Sequence, residues 1–456
     1  MTQFVAEIAT NRFGLGARAG EIARSSAAPQ RWLLDQLRPL GFDAAIGSSD
    51  TAQRLFARHQ QQMNRNRKSS EKQTAAAGKA PDKALPDTPA HADIGRMANA
   101  LALDTLGTAI GSDAPFAMHL LDFFSNHFSV SDSNLRMRAL APTLEREAIA
   151  PHIAGKFANL LLAVEQHPAM LVYLNNEQSF GPDSAIGKRR ERGLNETLAR
   201  EILELHTLGV DGGYTQDDVR ELAMGITGWS VGAIARNEAP GFRFREQAHQ
   251  PGTRTLLGKR HAVTGQEQGK AMLLDLALHP STAHHLSFKL ARHFVTDQPP
   301  LDLVQAMSRR WLATGGELRE VLATMLGHPA SWALPPAKLK TPREFVISAA
   351  RAAGTPGRRT RGLIAVLGTL GQQPFGAGSP AGFGDITSAW DGSEALMLRI
   401  DWADELASRI RDEPLDVARN ALGSLLSTDT AGLMKGAESR QQALAILLMS
   451  PEFQRR

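Results

Sequence analysis

The stretch Asn195-Glu196-Thr197-Leu198-Ala199-Arg200-Glu201-Ile202-Leu203-Glu204-Leu205-His206-Thr207-Leu208-Gly209 sets the character of this chain. It reads as a helix, and one that carries more charge than its apolar surface accommodates, because leucines flank the charged stripe on both sides. At ~100° per residue from Glu196, Arg200 falls near ~40° and Glu204 near ~80°, an i, i+4, i+8 ladder suited to alternating ion pairs. On the same wheel Glu201 falls near ~140°, inside the apolar arc of Leu198, Ile202, Leu205 and Leu208. A carboxylate in such surroundings must be paired, metal-bound or protonated. His206 diverges from Glu204 by roughly half a turn, so this Glu-x-His pair does not share a ligand within the helix. The ladder is therefore either a structural ion network or the wall of a site.

Helical patterning of the same kind returns from Ile94 and dominates to the end of the chain. Candidate helices cover 113–128, 144–162, 194–208, 215–228, 265–278, 281–294, 301–314, 316–326, 341–353, 359–370, 393–411, 415–426 and 438–449, with two more near the start at 19–25 and 29–37. Phe242–Phe244 and Thr253–Leu257 flank the Pro251-Gly252 turn and predict a small β-hairpin. The expected fold is mainly α, a large multi-helix globular array with that hairpin at residues 242–257. Three His-Pro pairs, at His167, His279 and His328, read as helix junctions: the residue before proline leaves helical space and proline opens the next helix.

Between Gln60 and about Asp93 large apolar residues nearly vanish and Gln, Arg, Ala and Pro take over. That composition predicts a flexible polar insertion at 58–93, between an N-terminal helical segment 1–57 and a main helical domain 94–456 that packs with 1–57 as one unit. The basic run Arg65–Lys68 is too short and isolated to make a nucleic-acid surface. A net charge of +4 over 456 residues and only two tyrosines point the same way. The absence of cysteine excludes disulfides, thiolate metal sites and a cysteine nucleophile. The N-terminus lacks the basic and apolar regions of a secretory signal, and no window is long enough for a membrane span. The expected location is cytoplasmic, or periplasmic by export with a partner.

Other polar groups stand out against the apolar pattern. In Leu120–Phe128, Asn126 and His127 sit among phenylalanines, and His119 lies two i+4 steps before His127 on one side of the helix. In the helix after Pro280, His285, Lys289 and Arg292 share a narrow face bordered by His293. That basic stripe is the natural complement of Glu196, Glu201 and Glu204. In contact the two stripes close a salt network, and across a cavity they line a site. A Gly- and Pro-rich stretch from Gly371 through Gln372 to Gly384 is either a lid or an ordered strap. His249, in a loop, could join His127, Glu201 and Glu204 as ligands for zinc, iron or manganese. Gly228–Gly232 fits the nucleophile elbow but lacks the strand before its serine, and Gly376–Ala381 fits a dinucleotide loop but contains Pro380.

The residues Phe123–Phe128, Gly193–Val210, Thr227-Gly228-Trp229, Lys289–Phe294, Lys340-Thr341-Pro342 and Ser450–Gln454 together resemble a bacterial family, domain-of-unknown-function family 1800. The resemblance runs along nearly the whole chain outside Gln60–Asp93. It implies no chemistry of its own. It does imply a sulfatase-like partner family that carries a twin-arginine export signal. Two expectations follow. One is an enzyme or ligand-binding protein of hydrolytic or oxidative chemistry. It would use Glu201, Glu204, His127 and His293 catalytically, Asn126, Glu196, Arg200, Lys289, Arg292 and Gln372 for binding, and a divalent metal as cofactor. The other is a helical accessory or export partner of a sulfatase-like protein, its polar strip purely structural.

Overall fold

The computed structural model describes residues 4–77, 88–190, 193–333, 335–355, 357 and 362–456. Helices dominate, with two small antiparallel two-stranded sheets. The elements that position the polar groups are α1 (Ser49–Ala77), α2 (Pro89–Gly111), α3 (Pro115–His127), α4 (Leu135–Leu144), α5 (Phe157–Glu165), α6 (Thr197–Glu201), α7 (Gln216–Gly225), α8 (Pro280–Phe294) and α9 (Pro342–Ala352). Their starts are set by local chemistry. Pro115, Pro280 and Pro342 sit in the first turn, where the missing N–H costs nothing. Thr215 and Thr341 close capping boxes with Asp218 and Glu344.

The His-Pro junctions have a sharper cause than proline alone. The Nδ1 atoms of His167, His279 and His328 accept from the backbone N–H of Ala169, Ser281 and Ala330. Each histidine thus caps the start of the helix that follows, the service Ser450 performs for Phe453 before Pro451.

Several expected elements are corrected. Residues 60–77, read as loop, are the second half of the 29-residue α1. Straight-chain and alanine residues favour a helix even without an apolar stripe, and α1 lies against α2 and α4. The remainder of the expected insertion, 78–87, and the opening of the expected 359–370 helix, 359–361, lie outside the described residues. The single helix expected at 144–162 is three pieces. Glu145–Ile149 is a π turn, Ala150–His152 a 3-10 turn, and α5 starts at Phe157. Pro151, which cannot donate a helical hydrogen bond, and Gly155 separate them. The expected hairpin is two different sheets: Phe242–Phe244 pairs with Trp229–Val231, and Arg254–Leu256 pairs with Lys259–His261. Trp229–Val231, inside the stretch that fits the nucleophile elbow, is therefore a strand, and Ser230 within it accepts from Arg245 Nε.

One apolar core runs from Ile8 to Phe453. At its centre Phe13 of the N-terminal segment stacks on Phe294, and Phe116 meets both rings edge-on. The last residues lie alongside 338–340: Lys340 N–H donates to the Gln454 carbonyl, and Arg456 N–H to the Lys338 carbonyl. This pairing brings Arg456 inside, next to α3, α8 and α9.

Candidate functional site

The site is built where α3 crosses α8 and the start of α9. Polar residues on α3 recur at helical spacing, with His119, Phe123 and His127 along one line and Asp122 and Asn126 beside it. The line faces α8. The His119 and His293 rings lie 4.8 Å apart, Phe123 packs between His293 and His127, and Lys289 Nζ donates to His127 Nδ1 at 2.9 Å. Of the basic stripe of α8, Lys289 thus meets α3, while His285 Nε2 lies 3.3 Å from the Leu205 carbonyl.

The upper end of this crossing is a buried cluster. His119 Nδ1 is 3.0 Å from the Phe13 carbonyl, and its Nε2 is 2.7 Å from Glu344 Oε1. His293 Nδ1 is 3.0 Å from Asp385 Oδ2. Arg456 reaches Glu344 Oε1 at 2.7 Å and donates to the His293 carbonyl. Lys338 spans Asp385 and Asp297. Burial opposes the charge on Glu344, but Arg456 and then His119 outweigh it and hold the carboxyl well below its usual range. For Asp385 burial is likewise outweighed, first by His293, so its carboxyl is held far down. Burial pushes His293 down to about 4 and Lys340 down to about 7.

Two adjoining cavities open from the cluster toward α4. The larger, about 90 Å³, lies between Asp122, Ser125, Asn126, Glu145, Arg343 and Gln372, with apolar walls that include Phe128, Val130, Leu144 and Phe375. The smaller, about 40 Å³, shares Asp122, Asn126, Arg343 and Gln372 and reaches His293, Glu344 and Asp385. Arg343 Nε donates to Asp122 Oδ1 at 2.9 Å. Glu145, the first residue of the π turn, accepts from Ser125 Oγ. Burial drives the carboxyls of Asp122 and Glu145 upward, more than Arg343 can offset. Arg343 is itself opposed by burial, yet the fields of Asp122 and Glu145 raise it further. Asp122 Oδ2 is buried with no hydrogen-bond partner among the described residues.

The 371–385 segment is an ordered strap forming one wall of both cavities. Gln372 Oε1 accepts from Arg343 N–H, and Asn126 exchanges two hydrogen bonds with the Phe383 backbone. Gly382 is needed beside it. Its φ is +79°, and a Cβ there would lie 2.5 Å from the Asn126 carbonyl oxygen.

The other expected site residues lie elsewhere. The Glu196–Arg200 ladder is a partly exposed network against α7, in which Gln216 bridges Arg200 and Glu196 and Arg220 approaches Glu196 at 3.8 Å. Glu201 and Glu204 are half-buried on the same side. Burial raises Glu201, and Glu204 hydrogen-bonds Tyr214. Neither glutamate faces Lys289 or Arg292 in an ion pair among the described residues. Arg292 instead lies over the Phe288 ring. The helix widens into a π turn at Ile202–His206, and His206 is buried against Glu165 at 2.8 Å. His249 bonds the Thr227 carbonyl beside Phe244. The expected metal set His127, His249, Glu201 and Glu204 is therefore not assembled. Among the described residues, one group of three histidine or acidic side chains has ligand atoms within 4.8 Å of one another: His119, His293 and Glu344. Of these His293 was marked from sequence, and Asn126 and Gln372 line the cavities. Asp122, Glu145, Arg343, Glu344 and Asp385 were missed. Glu344 carries a visible signal, Thr341-Pro342-Arg343-Glu344, but one that marks a helix start rather than a site.

Comparison with known proteins gives one match. The model of a family described as "Protein of unknown function (DUF1800)" matches residues 8–455. No curated protein and no solved structure matches.

Proposed function

We propose, from the premise that the chain belongs to the DUF1800 family, that it binds a small organic molecule in the cavity beside α3 and acts on it by acid–base chemistry. One observation carries this reading: three ionisable side chains, the buried Glu145 and the partly buried Asp122 and Arg343, converge on a cavity whose remaining walls are largely apolar. At about 90 Å³ the cavity is smaller than the ~150 Å³ that takes up benzene, so its occupant is a molecule of a few heavy atoms. The apolar walls suit an apolar body, while Arg343, Gln372 and Asn126 offer polar anchoring at one end.

Two carboxyls pushed toward neutrality on either side of a guanidinium are suited to exchange a proton with a ligand. Asp122 is the better placed, because its free Oδ2 lines both cavities. Hydrolysis, or another reaction limited by proton transfer, is the chemistry this arrangement supports. Glu201, Glu204 and the Glu196–Arg200 ladder take no part in it.

Saturation-transfer NMR with a panel of short-chain carboxamides and carboxylic acids, from acetamide and acetate upward, tests the binding half. Binding at roughly millimolar Kd is expected for the native chain. It should be lost in Ala102→Leu, which fills the cavity, and weakened at least ~10-fold in Arg343→Met. Binding that survives Ala102→Leu, or no binder in the panel, overturns the reading.

A further inference from the structure

The second cavity ends on side chains that the acid–base reading does not use. His119, His293 and Glu344 come from three different helices, α3, α8 and α9, so no sequence spacing reveals them together. Their ligand-type atoms converge within 4.8 Å. All three are buried.

The orientation of the two imidazoles is specific. A metal-ligating histidine usually donates its other ring N–H to a carbonyl or carboxylate, which fixes the tautomer and turns the free nitrogen inward. Both histidines meet that description. His119 directs Nδ1 at the Phe13 carbonyl and Nε2 toward Glu344. His293 directs Nδ1 at Asp385, itself held by Lys338, and its buried Nε2 has no hydrogen-bond partner among the described residues. A buried polar atom left unpaired costs about 1–3 kcal/mol. A purely structural ion network has no use for it, whereas a metal site requires it.

We propose that His119, His293 and Glu344 bind one divalent transition-metal ion. Two imidazole nitrogens and one carboxylate oxygen suit zinc, iron or manganese rather than calcium or magnesium. Ligand atoms at about 2.1 Å from an ion lie roughly 3–3.5 Å apart, so the widest pair closes by an ångström or so on binding while the His119–Glu344 pair, at 2.7 Å, opens slightly. Three protein ligands leave a position open. Here the space beside the ion is the cavity lined by His293, Glu344, Asp385 and Asp122. The guanidinium of Arg456 lies 2.7 Å from Glu344 Oε1, yet that nitrogen directs no aligned N–H at an acceptor. It is the cation a metal displaces, while its other arm stays on the His293 carbonyl.

The site stands independently of the ligand reading, and one experiment separates them. Full-length protein treated with chelator is titrated with cobalt(II), and visible d–d absorption and bound metal per chain are measured. One equivalent per chain is expected, and none in His293→Ala. Asp385→Asn, which keeps the ligands and loosens the orientation of His293, should weaken binding about 10–100-fold. Arg456→Gln should tighten it, because a competing cation is gone. Ala102→Leu should leave it unchanged even though it fills the ligand cavity. A native chain and an Arg456→Gln chain that both take up no cobalt overturn the proposal. So does binding that Asp385→Asn and His293→Ala leave intact.

Discussion

Glu145 enters the core as the first residue of a π turn, and burial drives its carboxyl upward from 4.5. The folded chain therefore holds that proton more tightly than the unfolded one. The resulting stability is fully present below pH 4.5 and is lost as pH rises through the raised value. Glu145→Gln, which keeps the shape and removes the charge, should be more stable than the native chain by about 1–3 kcal/mol at pH 8 and nearly equal to it at pH 4. Urea unfolding at the two pH values measures this. A variant less stable at pH 8 would show that the charge is held by partners stronger than Arg343. At this scale the sequence was legible for His119, Asn126, His127, Lys289 and His293, polar residues in plainly apolar helices. Asp122 and Glu145 escaped because a single acid near a helix end is ordinary. Their importance comes from Arg343, more than 190 positions away.

Among the elements, the strap does most to shape the site. Its hold on α3 depends on the reciprocal pairing of Asn126 with Phe383 and on a left-handed Gly382 pressed against the same residue. Gly382→Ala adds a Cβ where φ is positive and backbone lies 2.5 Å away. It should cost about 1–3 kcal/mol and speed amide exchange at Phe383, read by hydrogen–deuterium exchange mass spectrometry. Unchanged exchange there would mean that the strap is held elsewhere. Helix existence was readable from apolar periodicity almost everywhere, and helix junctions from His-Pro and Ser-Pro. Three features were not. The π turns at Glu145–Ile149 and Ile202–His206 arise from packing rather than composition. Strand partners in short sheets depend on which segment folds back, so the expected hairpin paired differently. The α1 helix continues past Gln60 on straight-chain and alanine residues, where composition alone suggested a loop.

For the molecule as a whole, the notable choice is to bury its histidines. Burial is the largest influence on His285, lowered to about 4, and on His127, lowered well below 6.5; Lys289, itself pushed down to about 8, adds to both. Groups lowered in the folded state contribute stability that is present above pH 6.5 and lost as pH falls through their folded values. His285 alone accounts for about 3 kcal/mol between pH 6.5 and pH 4. Thermal unfolding should therefore show a falling Tm across that window. His285→Gln should flatten the fall, and Glu145→Gln should steepen it, because the raised carboxyls act in the opposite direction. A Tm constant from pH 6.5 to 4 would contradict this balance. The fold class was readable from the sequence, but the convergence of α3, α8 and α9 was not, since nothing in linear spacing relates three helices so far apart.

That convergence also governs how the chain can fold. His119 bonds residues 106 and 225 positions away, and Arg456 bonds one 163 positions away. Closing loops of such length is slow and contributes little until the partners arrive. On a ribosome the helices can form as they emerge, yet the polar centre between them stays incomplete until residue 456 has appeared. The charged interior is thus completed late, and chains stalled before that point lack the Arg456 contacts to Glu344 and to the His293 carbonyl in an otherwise formed core. Such chains differ from the folded one in a way quality-control machinery can read: helical, collapsed, and lacking the cation that completes the cluster.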